Sequence, residues 1–259
     1  MAQRAELIVD FWWRGVLEQH YGKRVVKQVS SHRWGRHKFG RMKPTMLAAK
    51  YLAPSGVVVV PSRRLLRIIG DAIGAIGSSV PVAIAPKGFD PALFSWRERA
   101  GDLRIGWAGT GRQADKRLSI IREACPELLE VGPHTRGVEL PYEQMPSFYN
   151  SIDVITCASD AEGDPRPLIE GMACGCFPVT VDVGIVPELV EHGVNGLIVE
   201  RTPEAFREAF AWCRANVDFV RARGRENAER MLRDRTWAQC ALTWGDAFDA
   251  AIESRSRAA

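Results

Sequence analysis

Short runs dense in valine, isoleucine and leucine alternate along the chain with longer stretches whose apolar residues recur every three or four positions. The first kind predicts strands at 7–11, 25–29, 57–60, 81–85, 103–108, 128–131, 153–157, 177–181 and 197–199. The second predicts helices at 115–124, 165–174, 203–215 and 236–252. Such alternation marks an α/β protein with parallel sheets, and near-continuous apolar strands must be covered on both faces. The turn formers Pro86-Lys87-Gly88 and Asp90-Pro91, followed by the charged Trp96-Arg97-Glu98-Arg99, place a boundary near 86–101. Two Rossmann-like units are expected, the first too short to be a full doubly wound domain.

Composition adds little to this picture: 46% apolar and 25% charged residues over 259 positions describe an ordinary globular chain. No stretch reaches the roughly 18–20 uncharged apolar residues that span a bilayer. Acids interrupt the apolar run at the N-terminus and no small-residue cleavage site follows it, so it reads as a strand rather than a signal peptide. The six cysteines sit in apolar or helical contexts, and Cys174-Gly175-Cys176 has the wrong spacing for a zinc knuckle. Buried thiols in a reducing cytoplasm are the expectation.

A net charge of +4 is too small to imply nucleic acid, but it is unevenly spread. The segment SSHRWGRHKFGRMK at 30–43 is the core of a basic patch over 23–43, with Trp34 and Phe39 among the charges. It is either a solvated loop or a surface for anionic lipid head groups, a phosphorylated acceptor or RNA.

The chemistry concentrates in Ser159-Asp160-Ala161-Glu162-Gly163-Asp164-Pro165-Arg166-Pro167-Leu168-Ile169-Glu170, which follows a predicted buried strand and opens a helix with prolines near its first turn. Helix N-termini present N–H groups and a positive dipole end to phosphate. One carboxylate, Glu162, precedes the helix, and Glu170 lies more than a turn inside it. That separation suits the sugar and the ribose of one nucleotide-sugar, because carboxylates accept hydrogen bonds from vicinal hydroxyls.

Two glutamates with seven residues between them, in S-x-x-E-G-x-P-x-x-x-x-E-x-M-A-x-G-x-x-P-V, resemble the donor-site signature of the retaining glycosyltransferase family 4. The run from Val183 to Val199, the run from Met145 to Val154 and the linker from Pro86 to Phe94 are similar to neighbouring segments of that family. The resemblance covers roughly residues 57–252 and implies a GT-B-type α/β fold of two Rossmann-like domains, the first incomplete. It divides the chain into an acceptor-side domain with linker at 1–96, a donor-binding domain at 97–236, and a crossover helix and tail at 237–259.

The resemblance further implies an enzyme of the hexosyltransferase class. It would move sugar with retention from a nucleoside-diphosphate sugar to a hydroxyl acceptor, without metal or other cofactor. Glu162 would sit by the donor sugar, and Arg112 and Lys116 against the diphosphate in Gly106-Trp107-Ala108-Gly109-Thr110-Gly111-Arg112 and the residues after it. The alternative for that pair is two solvent-facing cations at a helix start. Gly109 and Gly111 would let backbone approach phosphate, and Gly163, Pro167 and Leu168 would form the helix tip. Glu170 would hold the ribose, Val138 would line the base pocket, and Gly184 would shape the sugar pocket. His32, at a strand end, is either a group facing the transferring sugar or an incidental loop histidine.

Departures from the family pattern are also visible. Between Pro126 and Met145 one strand and a loop replace the usual two strands and a helix, and the first strands of the acceptor domain are missing. The chain is then a fragment or misplaced start, a compact variant, or half of a two-chain enzyme. A donor-binding module without catalysis is the alternative function, and an epimerase of this architecture lacks supporting residues. A short first sheet with few covering helices predicts self-association or a partner chain through the first 80 residues. The basic patch adds peripheral contact with the inner face of a membrane.

Overall fold

A computed structural model describes residues 8–10, 25–29 and 44–256. The chain forms two compact units, one of Met1–Lys87, Glu162–Asp164 and Cys240–Ala259, the other of Gly88–Ala161 and Pro165–Gln239.

The first unit is built on a parallel sheet, β1 (Ile8–Asp10), β2 (Val25–Gln28), β3 (Val57–Val60) and β4 (Val82–Ile84), in that spatial order. Val26 pairs with Val57, and Val58 with Val82. Because side chains alternate along a strand, β3 feeds two separate cores. Val58 and Val60 pack with Leu65, Ile69 and Ile73 of α2 (Arg63–Gly74) and with Leu47, Tyr51 and Leu52 of the helical stretch begun by α1 (Pro44–Leu47). Val57 and Val59 pack with Trp244, Ala247 and Ala251 of α9 (Trp237–Ser256). The expected shortage of cover is therefore met at β3 on both faces, on one of them by the last helix of the chain. Ser62 caps α2 by accepting from the Leu65 N–H at 3.2 Å, and Trp244 Nε1 donates to the Pro86 carbonyl at 3.1 Å.

In the second unit β5 (Ile105–Ala108), β6 (Leu129–Val131), β7 (Val154–Cys157), β8 (Phe177–Thr180) and β9 (Leu197–Ile198) form a parallel sheet of order β6-β5-β7-β8-β9. α3 (Leu118–Ala124), α4 (Met145–Tyr149), α5 (Arg166–Ala173), α6 (Val186–Leu189), α7 (Pro203–Ala215) and α8 (Val217–Asp234) complete it. Its core joins Phe89 and Phe94 to Ile105, Trp107, Ile155, Met172, Phe177, Phe206 and Phe210.

One expected helix differs in the structure. The helix expected over 115–124 is broken: a 3-10 turn at Ala114–Lys116 is followed by Arg117 in the left-handed region (φ 50°), and only then by α3. The charged run at 97–99 belongs to the second unit. Arg99 donates to the carbonyls of Tyr149, Cys174 and Gly175 at 3.1, 2.6 and 3.1 Å, and so ties off the end of α5. All six cysteines are buried and none forms a disulfide.

Candidate functional site

In an open parallel sheet, ligands bind outside the carboxyl ends of the strands where strand order reverses. Here the reversal lies between β5 and β7, whose neighbours run outward to β6 on one side and to β8 and β9 on the other. The loops leaving β5, β6, β7 and β8 all issue from that edge, and they carry Gly109, Gly111, Arg112 and Lys116, then Val138, then the α5 residues, then Gly184.

The loops after β5 and β6 meet backbone to backbone. Gly111 N–H donates to the Pro133 carbonyl at 2.9 Å and Gly109 N–H to the Val131 carbonyl at 3.0 Å. A Cβ on Gly111 would stand 2.1 Å from the His134 oxygen, and one on Gly132 (φ 121°) would stand 2.1 Å from the Gly109 oxygen. Only glycine allows that approach. The exposed Val138 bridges to Val131, and its carbonyl accepts from the Gly132 N–H at 2.9 Å. Glu130 anchors the same loop from below: its carboxylate takes both Arg122 donors at 2.8 Å and the Arg136 N–H at 2.9 Å. These bonds outweigh the cost of burial and hold Glu130 below the usual carboxylate range.

Arg112 is exposed on the turn after β5, and Lys116 is half-buried in the 3-10 turn. Next to them Arg117 pairs with Asp160 through two contacts, at 2.9 and 2.8 Å, and the Asp160 N–H donates to the Asp115 carbonyl at 2.7 Å. The loops after β5 and β7 are thereby fastened together at the point of strand reversal. Arg201 adds a second clamp, donating to the carbonyls of Ala158 and Ser159 at 3.0 Å each. Sequence patterns gave no hint of this arrangement, because its members lie 40 or more positions apart (|i−j| of 43 for Arg117–Asp160).

Further along the β7 loop, Glu162, Gly163 and Asp164 group with the first unit. There Asp164 accepts from the Lys87 N–H at 2.8 Å and from its ammonium at 3.0 Å. Pro167, Leu168 and Glu170 lie on α5, in the second unit. The start of α5 offers fewer donors than the sequence suggests. Pro167 has no N–H, and those of Leu168 and Ile169 both turn back to the Pro165 carbonyl, at 3.1 and 3.2 Å.

Glu170 is the buried charge of the site. It is 5% exposed, and each oxygen accepts one phenol: Tyr149 at 2.9 Å and Tyr142 at 3.1 Å. Burial raises its pKa, and the tyrosines and Arg166 only partly oppose that. Burial, and then the Glu170 charge, pushes Tyr142 up to about 12 and Tyr149 well above the usual phenol. Both tyrosines were missed at the sequence level, since they lie 28 and 21 positions from Glu170 with no local signal joining them. Gly184 is buried after β8 with φ 53°. His32 and the basic run at 30–43 lie outside the described residues.

The glycosyl transferases group 1 family matches residues 135–231, from the β6 loop through most of α8. An uncharacterized glycosyltransferase of Methanocaldococcus jannaschii is 26% identical over 102 residues, which are 39% of this chain and 29% of that protein. Among solved structures, sucrose-phosphate synthase from Thermosynechococcus elongatus is similar with a TM-score of 0.76 at 18% identity, over 92% of this chain and 70% of that one. HepE of Anabaena, solved in complex with UDP, has a TM-score of 0.73 at 15% identity, over 87% and 72%. The chain thus has the GT-B fold, and its residues 135–231 match the glycosyl transferases group 1 family.

Proposed function

We propose that the chain transfers a sugar from a nucleoside-diphosphate sugar to a hydroxyl acceptor with retention of configuration, in the manner of glycosyltransferase family 4. The observation that carries this is the two-glutamate stretch, which lies inside the segment that matches the group 1 family and leaves the sheet at its point of strand reversal. HepE, of the same fold, has been solved with UDP and with UDP-glucose, which supports a nucleotide-sugar as the donor class.

In this reading Glu170 receives the ribose hydroxyls, the backbone around Val138 borders the base, and Gly109 and Gly111 admit the diphosphate. Arg112 and Lys116 offset the charge that grows on the leaving diphosphate as the anomeric C–O bond breaks. The acceptor oxygen attacks from the same face, and its proton passes to the departing phosphate oxygen. Glu162 and Gly184 border the sugar, and His32 orients the acceptor. A hydroxyl compound, whether saccharide, lipid-linked or small, completes the reaction. The basic 23–43 segment is the part suited to an anionic membrane surface.

The test is release of nucleoside diphosphate from a panel of nucleotide-sugars, with and without acceptors. Lys116→Ala should lower kcat at least tenfold, on the order of one charge-assisted hydrogen bond, while KM rises less. A variant that changes KM alone removes Lys116 from leaving-group stabilisation. No turnover of any nucleotide-sugar by the wild-type chain removes the proposal.

A further inference from the structure

We infer that Tyr142 is an exchangeable cap over Glu170, so that nucleotide binding depends on a ribose hydroxyl taking the place of the phenol. This rests on the assignment of Glu170 to the ribose. A carboxylate that is 5% exposed meets a ligand only when one of its covers leaves. Tyr149 is 0% exposed and packed against Phe148 and Phe94, with ring centroids 5.7 and 6.1 Å away. It is built into the core and stays.

Tyr142 is placed differently. It is 39% exposed and stands on the single 3-10 turn Tyr142–Gln144, outside any regular helix. Its ring lies edge-on to Phe94 at 5.5 Å and beneath the exposed Arg166 guanidinium at 5.3 Å. Such contacts hold a side chain in place without locking it.

The exchange is chemically even. A phenol O–H donates to Glu170 Oε1 before, and a ribose O–H donates to it after, so the buried charge keeps its donor throughout. A nucleotide without those hydroxyls would leave Oε1 bare if it displaced Tyr142, and so gains nothing by opening the cap. The cap therefore lowers the apparent affinity for ribonucleotides, which must open it, and leaves untouched a nucleotide without those hydroxyls.

Calorimetric titration of the full chain tests this. UDP, GDP and ADP are compared first, and then the tightest of them against its 2′,3′-dideoxy counterpart, on wild type, Tyr142→Phe and Tyr142→Ala. With the cap removed, the ribonucleotide should bind about five- to tenfold more tightly, the worth of one released hydrogen bond, and the dideoxy compound should bind as before. Unchanged or weaker ribonucleotide binding in whichever variant unfolds cooperatively overturns the cap. Equal binding of the ribo and dideoxy compounds by the cap-free variants overturns the assignment of Glu170 itself, as does failure to bind any of the three nucleotides.

Discussion

Glu170 shows what a buried carboxylate does to the protein that carries it. Its pKa is raised, chiefly by burial, so the folded state holds the proton more tightly than the unfolded chain does. Stability is then greatest below the ordinary glutamate value and falls as pH rises from there through the raised folded value. Glu170→Gln lacks this penalty and should melt a few degrees above wild type at pH 8. The advantage should shrink as the pH is lowered toward and below the ordinary glutamate value, and a series of melting curves across that range measures it. The same variant should bind nucleotide less well, an opposition common at functional sites. The glutamate was singled out by its spacing to Glu162, whereas its tyrosine partners were not. A hydrogen bond across 21 or 28 positions leaves no trace in local periodicity.

At the scale of elements, apolar runs marked the strands well, most plainly β2, β3, β5, β7 and β8, which are buried along their whole length. Helices were legible at 165–174, 203–215 and 236–252, but a strong apolar stripe was not what decided it, since α2, whose Leu65, Ile69 and Ile73 are buried along one face, went unread. The 18-residue α8 went unread: five arginines crowd it, and its buried face includes Gly224, Asn227 and Ala228, which offer little hydrophobic contrast. Gly224 is small for a reason, since a Cβ there would stand 2.2 Å from the Gly175 carbonyl. The break at Arg117 was hidden too, because a left-handed arginine is uncommon and is held here by Asp160. The contact between the β5 and β6 loops carries its own prediction. Gly132→Ala brings both a positive φ and a backbone clash with Gly109, so it should cost about 2–4 kcal/mol in chemical denaturation. Its partner loop holds Gly111, so nucleotide affinity should fall with it.

On the scale of the whole molecule, turn residues put a boundary near 86–101, and the two compact units part between Lys87 and Gly88. The second unit begins with residues that look like a linker and behave as core. Phe89 and Phe94 are 2% and 1% exposed, and Phe89 exchanges backbone hydrogen bonds with Arg235 and Trp237 at 3.2 and 3.1 Å. A fragment of residues 88–239 should therefore unfold cooperatively. One of residues 102–239 loses both phenylalanines and Arg99, and should be destabilised by at least ~5 kcal/mol, given roughly 3–5 kcal/mol for each large buried ring. Urea denaturation of the two fragments distinguishes these outcomes, and equal midpoints would show that the segment is dispensable.

The return of α9 to the first sheet also sets an order in time. A ribosome releases β3 early, and the face that carries Val57 and Val59 then waits for Trp244, Ala247 and Ala251. At ~5–20 residues per second the wait is roughly 10–40 s. The second unit, whose core is complete by Met231, emerges whole within that interval. Of the two units, the one that begins to emerge first is thus finished last, and its bare valines are most in need of a chaperone while the other unit is still being translated.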